Sequence, residues 1–126
     1  MFRRSGERGQ ATVELALSLP LVAMLLGALV EVGLVATDQT RLWHAAHEAA
    51  RVAIVEPDER FALAAAQRGG LVPLEMEIDP DTHARRAGRP LTVSLTYRTR
   101  SRIPILGSLL PSVELQANAT MRIERP

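Results

Sequence analysis

The feature that most constrains this chain is an apolar run near its N-terminus. Residues 15–30 (LALSLPLVAMLLGALV) contain no charged side chain, and after Glu31 the run resumes as VGLVA and ends at Ala36. As a helix, residues 15–36 measure ~33 Å at ~1.5 Å per residue, enough to cross a bilayer core. The alternative is a buried core helix. A chain of 126 residues supports one domain, which has no room to surround so long an apolar helix on every side. The run is expected to span a membrane.

Its flanks set the orientation. Arg3, Arg4 and Arg8 precede it against Glu7 alone, whereas Asp38, Arg41, Glu48, Arg51, Glu56, Asp58 and Glu59 follow it as a mixture. The arginine-rich end is expected in the cytoplasm and the long C-terminal part outside the cytoplasmic membrane. An ordinary cleaved secretory signal fits poorly. Cleavage after Ala36 puts Leu34 at the minus-three position, with Glu31 just ahead of the site.

The helical pattern continues past the run. In residues 38–55, Leu42, Ala45, Ala46, Ala49, Val52 and Ala53 recur at three- and four-residue steps. A first helix is expected over residues 11–55, on the order of 65 Å long, stopped by Pro57. Pro20 removes one backbone donor within it and is expected to kink the membrane half. Gly27 and Gly33 give close-approach points for another helix. A second, shorter helix is expected with Pro57 at its first position and Gly69-Gly70 at its close.

After that the period becomes two. Leu74, Met76 and Ile78 alternate with acids; Leu91, Val93, Leu95 and Tyr97 alternate with polar residues; so do Val113, Leu115, Ala117, Ala119, Met121 and Ile123. Three strands with one apolar face each predict a small antiparallel sheet, covered by the Ala-rich outer half of the first helix. The fold class is therefore α+β, with a long N-terminal transmembrane helix leading into a small outer domain. The connection RIPILGSLLPS, broken by Pro104, Gly107 and Pro111, is expected to pack on that domain or to lie near the membrane.

Little in the chain points to chemistry. The formal net charge of +1 and 3% aromatic content give no footprint for nucleic acid. All 15 basic residues are arginine and there is no cysteine, so neither a disulfide nor a thiolate metal site can form. His44, His47 and Glu48 share a helix face, but the order H-x-x-H-E matches neither zinc motif and no third distant ligand is evident; a solvated face is expected. Asp79 and Asp81 lack the other ligands and the glycine of a calcium loop. Asn118-Ala-Thr120 matches a glycosylation triplet inside an expected strand. Ser18 lies in the apolar run with no histidine near it. No cofactor, metal or catalytic residue is assigned, and an enzyme is not expected.

The opening RGQATVELALSLP (residues 8–20) is the most informative stretch. A basic end, a glycine, four residues, a glutamate and then an apolar helix resemble the class III signal of type IV pilins. More closely they resemble the TadE-like family, minor pseudopilins of the Flp (tight-adherence) pilus system. The Val-Glu pair, the following Leu-Ala-Leu and Pro20 fit that family's opening, and NATMRIE resembles its closing strand. Two residues depart from the pattern: Leu15, where many relatives have phenylalanine, and Gln10, where classical pilins have phenylalanine or methionine.

The resemblance implies cutting between Gly9 and Gln10 by a prepilin peptidase, which removes three arginines and one glutamate and takes the formal charge from +1 to −1. It also implies that Glu14 pairs with the N-terminal amine of a neighbouring subunit, since an unpaired carboxylate at this depth is costly. Partners are then the membrane, the peptidase, and other pilin or pseudopilin subunits with their assembly machinery. The expected organisation is a cytoplasmic leader over residues 1–9, a transmembrane segment over 10–36 and an extracytoplasmic domain over 37–126. A final location at the cell surface, within a filament, is compatible with this. Glu31, near the outer end of the span, is expected to reach the headgroups. The alternative function is an uncleaved, membrane-anchored accessory protein; a metal-binding or enzymatic module comes third.

Overall fold

A computed structural model describes residues 5–124, so Arg3 and Arg4 of the expected leader lie outside the described residues. Helix α1 (Ser5–Ala53) is followed by α2 (Glu59–Gln67), β1 (Glu75–Asp79), a 3-10 turn (Thr82–Ala84), β2 (Pro90–Thr99), a single helical turn α3 (Pro104–Gly107) and β3 (Val113–Arg122). The expected α+β class, with one long apolar helix, one short helix and a three-stranded antiparallel sheet, is what the chain adopts.

Helix α1 starts six residues earlier than its apolar pattern and runs unbroken through Pro20. Proline cannot donate to the carbonyl four residues back, that of Ala16. At the other end the helix stops at Ala53, where the amides of Val55 and Glu56 both turn back onto the carbonyl of Val52 at 3.1 and 2.8 Å. Pro57 does not open α2. Asp58 is the N-cap: its carboxylate accepts the Arg60 amide at 3.0 Å, satisfying a donor that the first turn cannot satisfy internally. The Arg60 guanidinium also holds that carboxylate, at 2.7 Å. These side-chain and backbone bonds keep the Asp58 carboxyl below its ordinary range. Gly70 closes the helix at φ +85°, a left-handed conformation that glycine adopts without strain.

Residue contacts divide the chain into two units. One combines α1 up to Gly33 with the connection Ser101–Pro111. In it, residues 6–26 of the helix are exposed throughout, and α1 is long and apolar enough to cross a membrane. The connection forms a strap. A methyl group added at Gly27 would lie 3.2 Å from Leu106 Cδ1 and 3.7 Å from Ile103 Cδ1, so the strap leaves no slack at that glycine.

The other unit comprises Leu34–Arg100 and Ser112–Pro126. Its sheet has β2 in the centre, paired antiparallel to β1 and β3. Register sets Ile78 opposite Val93 and Val93 opposite Ala119, while Leu95 faces Met76 and Ala117. Opposed residues share a face, and this one is buried against Leu42, Ala45, Ala46, Ala49 and Ala50 of α1, with Ala62 and Ala66 of α2. Alanines let the helix backbones approach closely, and the larger Leu91, Val93 and Leu95 fill the layer from the sheet side. Each fully buried aliphatic of this kind contributes roughly 1.5–3 kcal/mol. Gln39 adds a polar tie, its amide donating to the carbonyl of Gln116 at 3.0 Å.

Arg85 is a buried cation that the alternating pattern does not announce. It donates to the carbonyls of Pro80 and Pro57 at 3.2 Å and to Glu59 at 3.1 Å. The loop after β1 is thereby joined to the start of α2. An acceptor on each of its three nitrogens is what makes this buried guanidinium tolerable.

Candidate functional site

The candidate site is the first third of α1, where chemistry-bearing residues interrupt an apolar surface. Gly9 and Gln10 lie inside the helix, so the peptide bond between them is helical and any cleavage there would require local unwinding. Glycine makes that local unwinding easier by about 1 kcal/mol relative to alanine. An added side chain at Gly9 meets nothing within 4 Å. A side chain there therefore meets no obstacle in the fold.

Glu14 follows Gln10 by four residues, one turn along the same face. The Gln10 side-chain amide donates to Glu14 Oε1 at 3.5 Å, the long limit of a hydrogen bond. Thr12 and Ser18 are turned inward onto the carbonyls of Arg8 and Leu15 at 2.9 and 3.0 Å. That leaves Glu14 as the carboxylate on an exposed helical surface otherwise composed of Val13, Leu15, Leu17 and Leu21. It has no cation within salt-bridge distance among the described residues. The arrangement offers one charge, near one helix end, on a surface that water does not suit.

Glu31 behaves otherwise. It is only 8% exposed, and its Oε2 has no hydrogen-bond partner among the described residues. The expectation that it reaches outward to headgroups is not met: it lies on the covered helix face, four residues beyond Gly27, whereas Leu29, Val30 and Val32 face out. Alternation of exposure at i, i+3 and i+4 is a tertiary property, and the hydropathy of the run carries no sign of it. At Gly27 the close approach is made by the chain's own strap, and at Gly33 an added Cβ meets nothing within 4 Å.

The remaining candidates stay apart. His44, His47 and Glu48 are exposed; His47 Nδ1 is 2.8 Å from the Trp43 carbonyl, and its ring stacks on Trp43. Glu48 faces Arg51 at 3.9 Å. Among the described residues no group of three or more histidine or acidic side chains is placed to hold a metal ion. Asp79 lines an open surface depression with His83, Arg86 and Arg89, a mixture of charges rather than an oxygen cage. Asn118 lies in mid-strand, opposite Ser94.

The chain combines a helix long and apolar enough to cross a membrane with a small α+β unit, an architecture that fits a single-pass membrane anchor. The family model described as TadE-like protein matches residues 9–51, about a third of the chain. It begins at Gly9 and extends through the helix into the alanines that pack on the sheet, so the expected resemblance holds over this stretch. It points to a minor pilin-like protein associated with Tad pili. No curated protein and no solved structure matches the chain.

Proposed function

We propose that this protein is a minor pseudopilin of a Flp/Tad-type pilus or related secretion apparatus and acts by helix packing, without catalysis. The observation that carries the reading is the coincidence of the family match, which starts at Gly9, with an exposed apolar helix bearing Glu14. In this reading residues 1–9 are a cytoplasmic leader, α1 spans the cytoplasmic membrane over residues 10–36, and residues 37–126 lie outside. A prepilin peptidase cuts after Gly9. The new amino group at Gln10 then stands one turn from Glu14. In a bundle of such helices Glu14 pairs with the amine of a neighbouring subunit, because a carboxylate in hydrocarbon needs a cation. Pro20 and Gly33 lie on the surface left for pilin or pseudopilin partners, while the strap already uses Gly27.

The test is the mass of the N-terminus after coexpression with the cognate peptidase. A chain starting at Gln10 is expected, and Gly9→Leu should abolish the cut while leaving the outer unit folded. An intact N-terminus in the presence of an active peptidase would leave the uncleaved, membrane-anchored accessory protein as the reading.

A further inference from the structure

We propose that residues 103–111 of the strap, the uncharged stretch that follows Arg102, form a second membrane-embedded element, with Ile105, Leu109 and Leu110 seated in the hydrocarbon of the leaflet that surrounds the second half of the apolar run. The position of Gly27 carries this. It lies nine residues before Ala36, which is ~14 Å along the helix from the outer end of the run. Ile103 and Leu106 pack at that depth. With the run centred in a core ~30 Å thick, a strap touching Gly27 must enter the core as well.

Its composition suits that place. No residue from Ile103 to Pro111 is charged. Leu106 turns inward and is 7% exposed, whereas Ile105 and Leu109 are 74% and 66% exposed and Leu110 is largely exposed. The strap thus has one aliphatic face on the helix and a second facing away from it.

Backbone polar groups in hydrocarbon must be satisfied internally, and the strap goes far towards this. The amide of Gly107 bonds to the Ile103 carbonyl at 2.8 Å, and those of Leu109 and Leu110 bond to the Leu106 carbonyl at 3.0 and 2.8 Å. The Ile103 amide donates to Ser101 Oγ at 3.3 Å, and Ser108 Oγ donates to the Ile105 carbonyl at 3.0 Å. Pro104 and Pro111 carry no amide hydrogen at all.

The inference rests on α1 crossing a bilayer, which belongs to the proposed function, and it does not depend on cleavage or assembly. Because the chain has no cysteine, single-cysteine variants of the full chain isolate each position. Leu109→Cys, Leu25→Cys and Glu77→Cys are reconstituted in phosphatidylcholine vesicles at low protein-to-lipid ratio, with either face of the bilayer accessible to reagent. Each is then treated with a charged maleimide, or labelled with an environment-sensitive fluorophore and exposed to acyl-chain spin-labelled lipid. All three positions are exposed in the fold, so labelling disturbs no packing.

Leu109→Cys is expected to react at least about tenfold more slowly than Glu77→Cys, since the remaining outward aliphatics Ile105 and Leu110 hold the segment in hydrocarbon and one such side chain biases its position by that factor or more. Its label should be quenched by the spin-labelled lipid, as should that at Leu25→Cys. Quenching at Leu25→Cys with water-like reactivity at Leu109→Cys would overturn the strap's insertion alone. Loss of quenching at both would overturn it together with the anchor. Protection of Leu109→Cys that disappears on dilution in lipid would assign the surface to a second copy of the chain and also overturn it.

Discussion

Up to Gly33, helix α1 turns its largest aliphatic side chains outward: Leu17, Leu21, Leu25 and Leu29 are all exposed. From Leu34 to Ala53 the same helix buries mainly alanines, with Ala46, Ala49 and Ala50 wholly inaccessible. Large residues outside and small ones inside reverse the usual pattern of a soluble helix. The difference is one of surroundings. In the proposed reading the first stretch lies in lipid, which accepts any apolar shape, so it gains by area alone. A three-stranded sheet offers a fixed surface at a fixed distance, so the second stretch gains by fit. The charges differ too: Glu14 stands exposed on the first stretch with no cation at salt-bridge distance among the described residues, whereas on the second Glu48 faces Arg51 at 3.9 Å.

The sharpest way to break this comparison is Glu14→Ala. In an assembled bundle, losing one member of a desolvated pair costs about 3–5 kcal/mol. Crosslinking to partner subunits in membranes should collapse while the thermal unfolding of the outer unit, followed by Trp43 fluorescence, stays where it was. Equal crosslinking yields would reduce Glu14 to an interfacial acid worth less than about 1 kcal/mol.

A next effect in size comes from Leu95→Ala. Leu95 is fully buried in the centre of the sheet, and a leucine-to-alanine cavity there should cost about 2–5 kcal/mol. Leu25→Ala, the same chemistry on the exposed stretch, should leave that transition unmoved. Comparable losses at both positions would mean that the two stretches are not in different surroundings.

Smaller still is the reverse substitution. Ala49→Leu forces a bulky side chain between helix and sheet and should cost about 1–3 kcal/mol, whereas Ala16→Leu should change stability by less than about 0.5 kcal/mol. The smallest effect belongs to the cap of α2. The Asp58 carboxyl is held below its ordinary 3.8 by Arg60, so its contribution is present above that pH and fades as acidification carries the carboxyl through its lowered value. Asp58→Asn should lower the neutral plateau slightly, leave the acid end unchanged and so flatten this limb of stability. An acid limb of the same steepness in Asp58→Asn would assign the dependence to other carboxylates.

Periodicity sufficed for much of this. The step of three and four from Leu42 to Ala53, and the step of two through Leu91, Val93 and Leu95, each select one apolar face, and a face of that kind has to be covered. The helix, the strands, their antiparallel order and the cover over the sheet were legible in this way. Boundaries were less so. Ser5 to Gln10 are helical although they belong to no apolar pattern, since a helix once nucleated extends through any residues that do not stop it. Pro57 gave way to Asp58 because a carboxylate that can accept the Arg60 amide makes the better cap.

The candidate site divides along the same line. The spacing from Gly9 to Glu14 and the uncharged run after it are properties of the amino-acid order alone, and they already place an acid, Glu14, at the start of a helix long and apolar enough to cross a membrane. Which way Glu31 turns, what occupies the face at Gly27 and how Arg85 is paired were decided by the tertiary structure. The cover at Gly27 and the ties from Arg85 to α2 and its approach depend on segments between 26 and about 80 residues away in sequence. No local pattern encodes such a meeting: it follows from the sheet's register and from where the connection between β2 and β3 is carried, and packing alone settles both.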